Sequence, residues 1–325
     1  MSLRFLLSFC LLLAPAVAYP VSVADHPYLE AMVNRLADEH GLDRARLVRT
    51  FERVQLRPQV VEAMQRPAER LPWHRYRSFF INPSQIRNGV EFWQRHRDTL
   101  SRAAAETGVP EEIMVAVIGI ETRYGTTLGS HPVLDSLTTL TLQYPRRREF
   151  FGKQLEHFLL LTDEESLDPF AIRGSYAGAI GIPQFMPSSY RQYAVDFSGD
   201  GVADLVNQTD DAIGSVANYL GRFKWRSGEP VAVAIDAPGE LDPDLVNQRE
   251  PSTTLRELRK RGIEVDVDAA DDARAGVMRL EGEDGNLYRV VFDNFYVIMR
   301  YNPSFLYAMA VHELGSAVKR EFHGG

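Results

Sequence analysis

Glu121 closes the run Pro110-Glu-Glu-Ile-Met-Val-Ala-Val-Ile-Gly-Ile-Glu121-Thr-Arg-Tyr-Gly125. From Ile113 to Ile120 no residue is charged and every helical face is apolar, the pattern of a helix buried on all sides. Pro110 suits its first turn and Gly125 the position past its end, so Glu121 falls in the last turn. A carboxylate there is poorly solvated, and the negative end of the helix dipole disfavours its ionised form. Both effects raise its pKa, toward a group that stays protonated near neutral pH and acts as a general acid. The competing reading is a buried Glu held by a nearby Arg, for instance Arg123.

A second run, Gly174-Ser-Tyr-Ala-Gly178-Ala-Ile-Gly181-Ile-Pro-Gln184-Phe-Met-Pro187-Ser-Ser-Tyr190, has three glycines and two prolines in its first fourteen residues. It specifies a tight backbone path rather than a regular helix, and its small residues let a ligand approach the main chain. Ser175 and Gln184 are neutral groups of the kind that hold sugar hydroxyls and acetamido groups. Tyr176, Phe185 and Tyr190 offer flat faces for pyranose rings. A structural turn linking two helices is the other reading.

A third run, Asp196-Phe-Ser198-Gly-Asp200-Gly201-Val202-Ala-Asp204-Leu-Val-Asn207-Gln-Thr-Asp210, has the opening of an EF-hand-like calcium loop. Oxygen ligands stand at positions one, three and five, Gly at six and a carbonyl at seven. Asn207 occupies position twelve, where a bidentate Glu is expected, and Asp210 is the natural substitute in a slightly longer loop. The expected ligands of a structural Ca2+ are therefore Asp196, Ser198, Asp200, Val202 through its carbonyl, and Asp210. An Asp/Gly-rich surface turn is the alternative.

Tyr144-Pro-Arg146-Arg147-Arg148-Glu149 is a basic cluster suited to the carboxylates of a peptide-bearing polymer, or else a solvated helix start. Arg300-Tyr301-Asn302 precedes a helix break, where polar side chains either project into a cleft or form a turn. No histidines stand at metal-ligand spacing, and there is no Gly-x-Ser-x-Gly elbow or phosphate loop. No organic cofactor is expected.

The elements that position these residues are mostly helical. Pro27 to His40 and Arg44 to Val54 read as short amphipathic helices. A Pro- and Arg-rich link runs from Arg66 to Arg77, and a helix follows from Pro83 to Ala105 with Asn82 as its cap. Helical patterns broken by Gly- and Pro-rich loops continue from Val109 to about Phe223. Beyond Pro230, strands are expected at Val231 to Ile235, Val277 to Leu280 and Leu287 to Phe292, with a short helix from Thr254 to Arg261. Helical periodicity returns from Asn294 to Arg320, interrupted at Asn302-Pro303.

The chain has 325 residues, 45% hydrophobic and 25% charged, which calls for two or three packed subdomains. The first eighteen residues, ending Ala16-Val17-Ala18, read as a secretory signal peptide cleaved after Ala18. Cys10, the single cysteine, is expected to leave with it, so disulfides play no part in the mature fold. The formal net charge of −8 and the lack of a basic domain argue against nucleic acid as a partner.

Together the motifs resemble the membrane-bound lytic murein transglycosylase B family. Those that match are Gly119-Ile-Glu121-Thr-Arg-Tyr-Gly125, Leu134-Asp-Ser-Leu-Thr, Tyr144-Pro-Arg-Arg, Gly174-Ser-Tyr-Ala-Gly-Ala, Gln184-Phe-Met-Pro-Ser-Ser-Tyr, Asp196-Phe-Ser-Gly-Asp-Gly and Arg300-Tyr-Asn. They run in the family's order from about residue 25 to 320. The resemblance implies a mainly α (α+β) fold with a lysozyme-like helical core. The expected division is signal peptide 1–18, N-terminal helical domain 19–107, catalytic core with the calcium loop 108–225, small α+β module 226–293, and a C-terminal helical segment 294–325 that packs back on the core.

It also implies cleavage of the β-1,4 bond between N-acetylmuramic acid and N-acetylglucosamine in peptidoglycan, leaving 1,6-anhydromuramoyl ends. Glu121 would be the acid and base. Ser175, Gln184, Tyr301 and Asn302 would line the cleft, joined by Tyr144, Arg146, Arg147 and Phe185. The expected partner is the glycan strand, met in the periplasm by a monomer open to larger cell-wall complexes. Because the lipid-attachment cysteine of membrane-bound members is absent or misplaced, no membrane anchor is expected. Val202 and Asn207 depart from the polar residues common in such metal loops. Most glycosidases use two carboxylates, and Asp135 and Glu149 remain candidates for a second. A hydrolytic muramidase of the same fold and a non-catalytic wall-binding protein are the alternatives.

Overall fold

The computed structural model describes residues 21–65, 71–236 and 241–324. The expected signal peptide lies outside them. The chain forms two compact units, one ending at Arg57 and one beginning at Pro58. In the first, α1 (Pro27–His40) starts on a proline and stops at left-handed Gly41, φ 72°. α2 (Arg44–Glu52) follows, its first N–H groups capped by the Asp43 carboxylate, which accepts from Ala45 and Arg46.

The second unit begins with α3 (Pro58–Met64), α4 (Trp73–Phe80), α5 (Pro83–Arg95) and α6 (Arg97–Thr107). The Arg66 to Arg77 link is therefore partly helical: Trp73 and Tyr76 lie three apart on one face of α4 and are both buried. Asn82 caps α5 as expected, accepting from the Gln85 N–H at 3.1 Å. The helix expected to run on to Ala105 breaks at His96, φ −112° and ψ 27°. The break sends α5 against α14 (Phe305–Phe322) and lets α6 pack on α11 (Thr209–Arg222). Both also touch α7 (Glu111–Thr122), so residues 83–107 pack on the central helix rather than standing apart from it.

α7 is enclosed by α5, α6, α11 and α14, and its residues from Ile113 to Gly119 are buried. That enclosure is why its sequence carries no polar face. Beside it, α8 (Val133–Gln143) and α9 (Arg148–Glu164) form a helical hairpin, and α10 (Pro187–Tyr193) packs on α9. A two-residue pairing of β1 (His131–Pro132) with β2 (Arg173–Gly174) fixes where the Gly174 loop begins.

β3 (Ala232–Ile235), β4 (Thr253–Thr254), β5 (Arg274–Glu281) and β6 (Asn286–Phe292) build an antiparallel sheet in the order β3-β6-β5-β4. With α12 (Leu255–Lys260) it buries a small core around Leu255, Leu258, Ile263, Val277, Val290 and Phe292. α13 (Asp293–Tyr301) leads directly out of β6. At that join buried Asn294 accepts from the Arg226 N–H at 2.8 Å and donates to the carbonyls of Arg226 and Glu229, at 2.8 and 2.9 Å. Asn294→Ala leaves those main-chain groups unpaired in a buried place and is expected to cost about 2–4 kcal/mol, read as a lowered Tm.

Candidate active site

α7 ends on an unusual turn. Arg123, Tyr124 and Gly125 are all left-handed, with φ of 51°, 61° and 83°. Two non-glycine residues in that region cost on the order of 1–2 kcal/mol each, so the surroundings must hold them there. Tyr124 supplies part of that hold: its hydroxyl donates to the Gln85 carbonyl at 2.9 Å, and its ring sits where a Cβ on Gly119 would be, 2.6 Å away. Thr122 supplies another part by donating to the Ile182 carbonyl at 2.8 Å. Glu121 is thus fixed at the very end of the central helix.

The Glu121 side chain is partly buried, and Tyr307 on α14 donates its hydroxyl to Oε1 at 2.6 Å. Burial pushes the carboxyl from its ordinary 4.5 up to about 7, and the Tyr307 hydrogen bond opposes part of that rise. No Arg or Lys lies within ion-pair distance of Glu121 among the described residues, so Arg123 does not neutralise it. Burial and the neighbouring Glu121 also hold the Tyr307 and Tyr301 hydroxyls protonated far above the ordinary tyrosine range. With Oε1 engaged by Tyr307, Oε2 is the oxygen left to exchange a proton with a ligand.

Tyr301 stacks on Tyr307 with ring centroids 6.4 Å apart and donates to the Pro183 carbonyl at 2.5 Å. Its ring also meets Phe185 and Tyr219 at 5.7 and 4.9 Å. Tyr301 is therefore a pillar that joins the Gly174 loop to the Glu121 region. Asn302 sits half-buried in the extended break between α13 and α14.

The Gly174 loop folds upon itself: Ile180 and Phe185 exchange main-chain hydrogen bonds at 2.8 and 3.0 Å, closing a small hairpin. Left-handed Gly181, φ 75°, lies so close to the Leu205 carbonyl that a Cβ would collide with it. Ser175 Oγ accepts from the Ala179 N–H at 3.0 Å, which leaves its own proton free to be donated. Gln184 Nε2 donates to the carbonyls of Leu128 and Gly181, at 3.1 and 2.8 Å, which leaves its amide oxygen to accept. Two of the three aromatics expected to carry sugar rings do not present faces. Phe185 is 2% exposed and Tyr190 8%, because the closed loop turns both into the core, whereas Tyr176 is 39% exposed.

The basic cluster lies in the turn between α8 and α9. Arg146 is exposed, and the Arg147 guanidinium stacks over Phe150 at 4.2 Å and Phe151 at 5.2 Å. Tyr144 packs edge-on to Phe151 at 6.3 Å. Of the acids considered as a second carboxylate, Asp135 is buried in the first turn of α8 and Glu149 is exposed in that of α9.

In the loop expected to hold a metal, the carboxylate that lies beside Asp196 and Asp200 is that of Asp211 rather than Asp210. Asp196, Asp200 and Asp211 bring carboxylate oxygens within 4.8 Å of one another. Asp210 instead accepts from Thr99 Oγ1 at 2.9 Å and lies 3.7 Å from His96 Nδ1. The cause is helical geometry: both begin α11, and neighbouring residues there point about 100° apart. Asp211 is buried and accepts the N–H groups of Phe197, Ser198 and Asp204 at 2.8, 2.7 and 2.9 Å. Asp196 accepts from Gly201 at 2.7 Å, and that bond leads in holding its carboxyl below the usual range. Ser198 Oγ donates to Asp196 at 3.2 Å, the Val202 carbonyl accepts from Asp204, and Asn207 donates its side-chain amide to Asp204 at 2.8 Å. An all-oxygen donor set of this kind fits a hard divalent cation.

Sequence reasoning missed Tyr307 and Asp211. No local motif marks Tyr307, which meets Glu121 only through the packing of α14 on α7. Asp211 was visible as the neighbour of a proposed ligand.

The transglycosylase SLT domain family matches residues 24–316. Membrane-bound lytic murein transglycosylase B of Escherichia coli (strain K12) is 41% identical over 305 residues, 91% of this chain and 83% of that protein. The crystal structure of catenated lytic transglycosylase SltB1 from Pseudomonas aeruginosa aligns with TM-score 0.86 and 43% identity, covering 91% of this chain and 98% of that one. The structure of Escherichia coli lytic transglycosylase Slt35 in complex with calcium aligns with TM-score 0.84 and 40% identity, covering 94% and 97%. By sequence along nearly its whole length and by fold, this chain belongs to the transglycosylase SLT family of lytic murein transglycosylases.

Proposed function

We propose that this lytic transglycosylase cleaves the β-1,4 bond between N-acetylmuramic acid and N-acetylglucosamine in peptidoglycan, with Glu121 as its single acid and base. The observation that carries the reading is the Glu121 carboxyl, raised to about 7 by burial and free of any charged partner among the described residues. A group with that pKa divides its time between the two protonation states near neutral pH, as one residue serving both roles requires. Oε2 gives its proton to the leaving glycosidic oxygen as the bond to C1 breaks. The muramic 2-acetamido carbonyl stabilises C1, oriented by the Ser175 hydroxyl proton. The C6 hydroxyl then attacks C1 and returns its proton to Glu121. One bond is broken and one formed, and no water is consumed. Tyr307 stabilises the carboxylate between the two transfers, and the Gln184 amide oxygen accepts from the sugar.

With burial and Tyr307 the causes that set the Glu121 pKa among the described residues, the reading takes its nucleophile from the substrate. Asp196, Asp200 and Asp211, with Ser198 Oγ and the Val202 carbonyl, would hold Ca2+, and the calcium complex of Slt35 supports that choice of ion. Bound there, calcium would tie the start of α11 to the loop that follows α10 and brace the Gly174 segment. It takes no part in the chemistry. The same reading places the enzyme in the periplasm after cleavage behind Ala18.

Release of soluble fragments from purified peptidoglycan tests the activity, and its pH profile tests the mechanism. The acid form of Glu121 is required first, so activity falls as pH rises through about 7. Tyr307→Phe removes the bond that lowers the Glu121 pKa, so the alkaline limb moves to higher pH while kcat falls by about tenfold. An unmoved limb in that variant would separate Tyr307 from the catalytic acid.

A further inference from the structure

A hollow of about 470 Å³ opens between the end of α11, the loop before β4 and the last turns of α13. Lys224, Arg226, Arg249, Arg274 and Arg300 border it, against Glu250 and Asp293. That is a local excess of three positive charges in a chain of formal net charge −8. Asp293 is shared between Arg226 at 3.0 Å and Arg274 at 3.9 Å, and Arg249 donates to the Pro303 carbonyl at 2.8 Å. Lys224 and Arg300 are exposed and have no carboxylate within ion-pair distance among the described residues. Like charges gathered around a hollow repel one another, and an anion placed among them removes that cost.

Lys224 contributes a second, independent observation. It lies two residues past the end of α11 in the left-handed region, φ 65°, with its N–H bonded to the Gly221 carbonyl at 2.9 Å. Glycine is the relaxed residue for that position. The bonds of a Schellman helix end hold that conformation, and with lysine in place of glycine they fix a cation at the rim of the hollow. Val297 and Met299 from α13 add an apolar part to its lining. The chain ties the hollow to the Glu121 region: Arg300 and Pro303 border it, and Tyr301 between them stacks on the Tyr307 that holds Glu121.

We infer that this hollow binds the acidic peptide stem carried by the muramic acid of the substrate, an inference that rests on the peptidoglycan reading of the Glu121 site. Lys224 and Arg300 pair with the stem's carboxylates by charge-assisted hydrogen bonds, and Val297 and Met299 take its alanine methyls. A hollow of this volume is in the size class that encloses a short peptide.

Two measurements on the full mature chain test it. The first is binding of a synthetic stem tetrapeptide, followed by calorimetry. Lys224→Gln/Arg300→Gln is expected to weaken binding about tenfold, the effect of losing one to two charge-assisted hydrogen bonds. Lys224→Gly is expected to raise Tm by relieving the left-handed residue and yet weaken the peptide a few-fold. That pair of effects in opposite directions separates binding from folding. Wild-type affinity in both variants, or occupancy by inorganic phosphate while the peptide is ignored, would overturn the assignment. The second is turnover of stem-bearing strands against strands stripped of peptide by an amidase. The double variant should raise KM about tenfold on the first and leave the second unchanged; an equal rise on both overturns it. Failure of the wild type to cut either substrate would refute the function proposed for Glu121, and the peptide-binding arm would still decide the hollow.

Discussion

Glu121→Gln lowers kcat on peptidoglycan by about 10³-fold or more while the protein still folds and binds glycan. Gln keeps the shape of the side chain and can still meet Tyr307, but it has no proton to give to the leaving oxygen and cannot take one back. Removing the single acid and base therefore blocks both transfers at once. The same variant has a stability signature that distinguishes chemistry from misfolding. The folded-state pKa is raised from 4.5 to about 7, so within that window the native protein keeps a proton that the unfolded chain releases. Wild-type stability consequently falls as pH rises through the window, and the full cost, on the order of 3 kcal/mol, is present above about 7. Gln never ionises and escapes it. The variant should be inactive and, at pH 8, more stable than the wild type. Thermal unfolding at pH 4 and pH 8 beside fragment release checks both halves. Retained activity would end the role of Glu121, and equal stabilities at pH 8 would show that its carboxyl is not desolvated.

Asp211→Ala carries the next largest expected effect. The Asp211 carboxylate accepts three main-chain N–H groups that cross from the metal loop to the first turn of α11. Its loss strands donors on the Phe197, Ser198 and Asp204 backbone and is expected to cost about 3–5 kcal/mol. A calcium ion bound to the wild type at a hundred times its Kd adds about 2.7 kcal/mol to the native state. That increment should vanish in Asp211→Ala and persist in Asp210→Ala, whose side chain faces Thr99 and His96 instead. Melting curves of the three proteins with calcium and with a chelator decide the matter. A calcium response lost in Asp210→Ala and kept in Asp211→Ala would restore the ligand set read from spacing alone.

Much of the scaffold was legible because its signals are local. α7 could be read from an apolar run too complete for a surface helix, with a proline at its start and a glycine past its end, and α1 and α2 from their amphipathic spacing. Asn82 was identifiable as a cap, and the β6–α13 region from alternation giving way to helical periodicity. What escaped depends on the third dimension. Tyr307 stands 186 residues from Glu121 and meets it only because α14 packs on α7. Asp210 and Asp211 are separated by one helical step, and loop spacing cannot choose between them. Phe185 and Tyr190 look like sugar platforms in a Gly- and Pro-rich loop, but main-chain bonds close that loop and turn both rings inward. The break at His96 has no glycine or proline to announce it; it follows from the need of α5 and α6 to reach different neighbours.

The most direct measurement of the central claim is digestion of purified peptidoglycan by the mature protein in H₂¹⁸O, with mass analysis of the new muramic ends. The expected ends carry no ¹⁸O and are lighter by one labelled water, ~20 mass units, than the products of hydrolysis in the same medium. Reducing ends carrying one ¹⁸O would contradict it, because water rather than the C6 hydroxyl would then be the nucleophile that completes the reaction at C1.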